Sequence, residues 1–205
     1  MKKMDIEMAV KHASITEYVE KSIIPFILDL DDENNVRQVG CYGTGTLFSF
    51  LNKYFIVTAG HVVENIDRIR TVLGIPVKRF ESEILTLGDC RFHFPQNKID
   101  IAKYDIGIIE LGQELYEKLL LSYHFLNEND IQFLLTNTNV YISGYPNSFT
   151  TFDKQGHWKR AKPFNLLSQF KNSKIEGYKN YDPKVHFLIE YSDIYYAGND
   201  PSKKE

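Results

Sequence analysis

Two side chains in this sequence are placed where they could handle a proton. His61 follows a β-type run, residues 54–58, with only Ala59 and Gly60 between. Small residues at that point let the imidazole sit close against backbone at a strand end, where a rigid sheet can aim it. Asp105 opens an apolar run, residues 106–109. A carboxylate abutting a buried strand costs free energy unless something bonds it. A protonated imidazole, or one donating its Nδ1–H, would do so. Asp100 is the rival, since Ile99 and Ile101 flank it in a similar way, but only Asp105 precedes a long apolar run. The plainer alternatives are that His61 is a surface or satisfied core histidine, and that both aspartates are strand-end caps bonding backbone N–H groups.

Other chemistries find less support. The six histidines are scattered, without His-Glu-x-x-His or Cys-x-x-Cys, so no metal is expected. Gly43-Thr44-Gly45 lacks the third glycine of a dinucleotide turn and opens a strand, and no Walker-type loop is present. No cofactor is expected. A formal net charge of −3, without a basic stripe interleaved with aromatics, argues against nucleic acid as partner.

The elements that must position His61 and Asp105 read as strands. Residues 46–51 and 54–58 are apolar, aromatic and β-branched around a polar turn at Asn52-Lys53. Residues 22–30 form another strand, its first half demoted to an edge by Pro25. Short candidates follow at residues 75–80, 83–87 and 91–94; strands at this spacing suggest a barrel. Residues 5–20 have apolar positions at helical spacing and are expected on the outside of that barrel. Residues 113–121 read as a helix or helical connector, and 131–135 resume an apolar segment. Residues 140–146 form a strand ending in Gly-Tyr-Pro, with Ser143 structural within it. Residues 157–170 suggest a strand pair around Pro163, and 185–192 one more strand.

At 205 residues and 43% hydrophobic, the chain can bury a core as one domain or two small ones. Charges occupy the N-terminus where a signal peptide needs an apolar run, and no stretch approaches about eighteen apolar residues, so no membrane partner is expected. Cys41 and Cys90 are too few for a secreted disulfide scaffold, and a reducing cytoplasm is the expected location.

The stretch Gly43-Thr-Gly-Thr-Leu-Phe followed by Val57-Thr-Ala-Gly-His61 resembles the Gly-x-Gly-x-hydrophobic strand and Thr-Ala-x-His signature of trypsin-like serine proteases. Tyr104-Asp-Ile-Gly-Ile resembles that family's Tyr/Asn-Asp-Ile-x-hydrophobic motif, and residues 140–146 its second-barrel opening strand, as in bacterial members. The resemblance implies an all-β double β-barrel, the first barrel complete and the second partial, and the helix read from apolar spacing at the N-terminus precedes it. It divides the chain into a helical segment at 1–21, a first barrel at 22–126, and a connector with partial second barrel at 127–205. It implies His61 as general base, Asp105 as the carboxylate that fixes its tautomer, and a peptide or protein substrate.

The family's nucleophile and oxyanion donors come from a Gly-x-Ser-Gly-Gly turn on the second barrel, and the sequence has none. Ser148, Ser192 and Ser202 lack the flanking glycines, and Cys41 and Cys90 both precede Asp105. The expectation is an intracellular serine endopeptidase domain truncated before its serine, inactive as it stands. Its open second barrel would self-associate or take a partner strand. The competing expectation is a non-catalytic, protease-like peptide-binding or scaffold module.

Overall fold

The computed structural model describes residues 6–31, 37–66, 73–78, 83–95, 97, 104–131, 139–145, 150–152, 158–161, 163–171, 188–189 and 195–196. Helix α1 (Ile6–Ser22) leads into β1 (Ile23–Asp31), β2 (Arg37–Phe50) and β3 (Lys53–Ala59), after which a short helix α2 (Gly60–Ile66) carries His61. Strands β4 (Leu73–Pro76), β5 (Ile84–Thr86), β6 (Arg91–His93) and β7 (Ile106–Leu111) follow. Together these strands form one sheet in the order β5-β4-β1-β2-β3-β7-β6, with every pairing antiparallel.

That order forces the sheet to curl. Its two outermost strands, β5 and β6, are consecutive in sequence and joined only by residues 87–90. Seven flat strands would set the outer pair about 29 Å apart, and that connection spans about 18 Å even when fully extended. It is in fact a tight turn, with Cys90 N–H bonded to Leu87 O at 3.1 Å. The curl encloses a core in which Phe26, Leu47, Ile56, Ile75 and Ile109 from five strands, with Leu87 from the β5–β6 turn, are fully buried in one cluster. A bulge assists. Phe26 faces Gly43 and Ile27 faces Cys41, so Tyr42 is an extra residue that bends β2.

Pro25 fits because β4 pairs with β1 only at Ile27 and Leu28, leaving the proline on a stretch paired to β2 alone. The turn after β2 differs from expectation by one residue. Phe50 pairs with Lys53, which makes Leu51 and Asn52 the two-residue loop, at φ 49° and 58°. Two-residue hairpins favour this left-handed geometry because it matches strand twist.

Helix α3 (Gln113–Leu120) and the segment after it close one end of the barrel. Leu119, Tyr123 and Phe125 join the barrel core, and the Tyr116 ring stacks on Tyr54 with Phe125 edge-on to both. Leu126 then runs beside β2, accepting from Ser49 N–H at 2.7 Å and donating to Leu47 O at 3.0 Å. It occupies the β2 edge just beyond Thr46, where β1 begins. A 3₁₀ turn (Glu128–Asp130) follows, closed by a reciprocal cap between Asn127 and Asp130.

The second sheet is built on β11 (Phe164–Lys171). It pairs with β8 (Asn139–Gly144) along six residues, and with β12 (Leu188–Ile189) and β13 (Tyr195–Tyr196) on two each. Strands β9 (Thr150–Phe152) and β10 (Trp158–Ala161) form a separate hairpin. The expected strand pair across Pro163 is therefore corrected: β10 and β11 flank that proline but take different partners.

Helix α1 also has a larger role than expected. Besides lying against the first barrel, it reaches the second sheet: Thr16 Oγ1 bonds Tyr141 OH at 2.8 Å, and Glu20 accepts from buried Asn165 Nδ2 at 2.8 Å. Its C-terminal end is tied to the connector, with Lys21 O accepting from His124 N–H and Tyr18 OH donating to Asp130. The apolar segment expected at 131–135 and the strand expected at 185–192 lie largely outside the described residues.

Candidate active site

β3 and β7 are paired from Tyr54↔Leu111 to Ala59↔Ile106, so the residues just past Ala59 and just before Ile106 meet at one corner of the barrel. His61 and Asp105 are those residues. Nδ1 of His61 lies 2.9 Å from both Asp105 carboxylate oxygens, and the His61 backbone N–H donates to Oδ1 at 2.9 Å. Asp105 thus does two things at once. It satisfies an N–H of the first turn of α2, which lacks an intrahelical acceptor, and it accepts from the imidazole. The capping role and the pairing with His61 are one arrangement.

A carboxylate accepts, so Nδ1 carries the proton and, in the neutral ring, Nε2 is left with its lone pair. The side chains are 61% and 43% exposed for His61 and Asp105. At that exposure the attraction between them is screened by water. What the carboxylate supplies here is orientation and tautomer.

The approach of the two segments depends on missing side chains. A Cβ at Gly60 would lie 3.2 Å from Ile106 N and O and 3.3 Å from Asp105 C, all backbone atoms that cannot swing aside. At Gly107 a Cβ would lie 2.3 Å from Val63 Cγ2, so that glycine lets α2 settle on β7. Gly107 interrupts the apolar run of residues 106–109, and an isolated glycine within a strand is the sign of such close approach. Asp105 itself has φ 39°, a left-handed conformation that aspartate adopts more readily than most residues.

Behind the corner, Thr58 Oγ1 donates to Thr44 O at 2.7 Å and ties the end of β3 to β2. Ser143 donates to Asn165 Oδ1 within the second sheet, a structural bond. Asp100, Ser148, Ser192 and Ser202 lie outside the described residues. Cys90 is buried in the barrel core, and desolvation, with the nearby Asp89 charge adding to it, pushes its thiol up to about 11. Among the described residues, no group of three or more His, Cys, Asp or Glu could hold a metal, and no helix is long and apolar enough to cross a membrane.

A curled antiparallel sheet forming a first barrel, with part of a second barrel, matches the double-barrel fold of trypsin-like proteases, and this chain adds an N-terminal helix to it. The family model for trypsin matches residues 19–163, more than half the chain, and the chain belongs to that family. No curated protein sequence matches it.

Proposed function

We propose that the chain is the His- and Asp-bearing part of a serine endopeptidase of bacterial, intracellular type, located in the cytoplasm, with His61 as general base and Asp105 as its orienting carboxylate. The observation that carries this reading is the contact of Nδ1 with both Asp105 oxygens at 2.9 Å, which leaves Nε2 as the proton acceptor. In the reaction, Nε2 takes the proton of a serine hydroxyl as its oxygen attacks the peptide carbonyl, and then returns it to the leaving amine. Asp105 stays ionised throughout and holds the imidazolium.

The serine is proposed to lie on sequence beyond the 205 residues, because none of the serines here sits in a Gly-x-Ser-Gly-Gly turn. The proposed division is a helical segment at 1–21, a first barrel at 22–126 carrying both residues, and a connector with a partial second barrel at 127–205. Substrates are peptides or proteins, and the open second barrel is proposed to self-associate or to accept a partner strand.

The test is labelling with a serine-directed fluorophosphonate, together with hydrolysis of an unstructured protein substrate. In subtilisin, loss of the nucleophile costs on the order of 10⁶ in kcat, so neither labelling nor turnover above background is expected. Stoichiometric labelling that disappears in His61→Ala would overturn the missing-serine proposal. Sequencing the reading frame beyond residue 205 tests the remainder. A Gly-x-Ser-Gly-Gly turn there supports the endopeptidase; a frame without one favours a non-catalytic peptide-binding module.

A further inference from the structure

Where the second sheet meets the first barrel, Tyr145 has both of its backbone polar groups taken up by side chains of β2. Tyr145, just past β8, donates its N–H to Thr44 Oγ1 at 2.7 Å, and its carbonyl accepts from Cys41 Sγ at 3.2 Å. The same thiol also lies 3.5 Å from Gly43 O, so its proton is shared. Tyr145 is buried in a small apolar cluster with Ile23, Ile27 and Cys41, separate from the barrel core. A Cβ at Gly144 would stand 3.3 Å from Thr44 Oγ1, which explains how the two strands come so near.

Thr44 therefore faces two ways. Its side chain holds the second sheet, while its carbonyl holds Thr58 at the end of the strand that leads to His61. We infer that Thr44 and Cys41 form a two-point latch on β2 that docks the second sheet beside the His61 corner, and that this joint opens independently of the first barrel. The inference does not depend on whether the chain hydrolyses peptides. Any group that the second half brings to His61 has its position set through this latch together with the bonds from α1. Two further bonds to the second sheet, Thr16 to Tyr141 and Glu20 to Asn165, come from α1 and stay in place when the latch opens. Opening is thus a local release at the Tyr145 end of β8.

The protein carries its own reporters. Cys41 belongs to the latch and Cys90 to the barrel core, and both are buried. The experiment is residue-resolved iodoacetamide labelling of the native chain, together with amide exchange at Tyr145, in wild type and in Thr44→Val and Thr44→Ser. Valine keeps the shape of threonine but leaves the Tyr145 N–H without its acceptor. A buried unsatisfied donor weakens a joint enough to raise opening about tenfold or more. Cys41 labelling and Tyr145 exchange are expected to accelerate together by that factor in Thr44→Val, with Cys90 labelling unchanged. Serine, which keeps the oxygen, is expected to restore wild-type rates. Acceleration at both cysteines alike, or at neither, would overturn the latch.

If Thr44→Val does not fold, wild type alone decides. Opening constants from Cys41 labelling and Tyr145 exchange should agree with each other and exceed that from Cys90. A single constant for all three sites refutes an independent joint.

Discussion

His61 and Asp105 are 44 residues apart in the chain, yet one carboxylate bonds both the backbone N–H and the ring Nδ1 of that histidine. The ring is thereby fixed about two axes, by its attachment to α2 and by its partner. Replacing Asp105 with Asn keeps an acceptor oxygen but adds an NH₂ that cannot face Nδ1–H. The expected result is loss of the pure Nδ1–H tautomer, read in ¹⁵N spectra of the imidazole. The stability cost should be about 1 kcal/mol or less, since the pair is exposed and part of the cap survives. A wild-type spectrum already dominated by Nε2–H would contradict the assigned geometry.

A second prediction concerns the seat of α2. Alanine at position 107 drives its Cβ into Val63, whose Cγ2 would be 2.3 Å away, and overpacking of this kind costs about 1–3 kcal/mol. Val63→Ala removes the two γ-methyl groups but leaves the Val63 Cβ at 2.8 Å and the Ala59 carbonyl oxygen at 3.1 Å, so its relief is partial. Urea denaturation of the two single variants and the double variant should show the double losing clearly less than the sum of the singles. Gly60→Ala has no such remedy, because its contacts are backbone atoms of Asp105 and Ile106. Additive losses for Gly107 and Val63 would mean that α2 is held elsewhere.

Local pattern made the corner legible. Two aromatic and β-branched runs, small residues, then histidine are features of contiguous sequence, and so is an aspartate before an apolar run. Helix α3 was expected over residues 113–121 and spans Gln113–Leu120, because its Leu positions repeat at helical spacing. Long-range pairing left no comparable signal. Nothing near residue 163 says that β10 pairs backward with β9 while β11 takes β8. Nothing in α1 says that Thr16 and Glu20 reach side chains on the second sheet. The β2–β3 turn begins one residue before the polar pair Asn52-Lys53, and Leu51, a poor turn former, gives no sign of it. The register and twist of the hairpin impose its φ of 49° nonetheless.

That turn supplies a third prediction. Leu51 is 76% exposed, so its side chain contributes little packing, and its left-handed backbone is costly for a residue of its kind. Changing Leu51-Asn52 to Asn-Gly supplies the pair that this two-residue loop prefers. The expected gain is about 1 kcal/mol, seen as a higher urea midpoint with an unchanged slope. A neutral or destabilising result would indicate that Leu51 is engaged in a contact that its exposure conceals.

The last prediction turns on Cys90 and pH. Burial, and then the neighbouring Asp89 charge, raises its thiol from 9.0 to about 11, whereas in the unfolded chain the thiol ionises at its ordinary value. Between those values the unfolded state loses its proton while the folded state keeps it. The unfolded chain therefore binds fewer protons, and stability falls as pH rises. Below 9.0 the contribution is fully present; above about 11 both states are ionised and the loss levels off. Tyrosines and lysines titrate in the same range, so wild type must be compared with a variant sharing them. Cys90→Ala is less stable at neutral pH because it leaves a gap in the core. The difference between the two proteins should narrow steadily from pH 9.0 to about 11 and then hold constant. Urea midpoints at half-unit intervals of pH measure it. A difference that stays constant through that window would show that the folded chain ionises Cys90 as readily as the unfolded one, and so that water reaches the thiol inside the barrel.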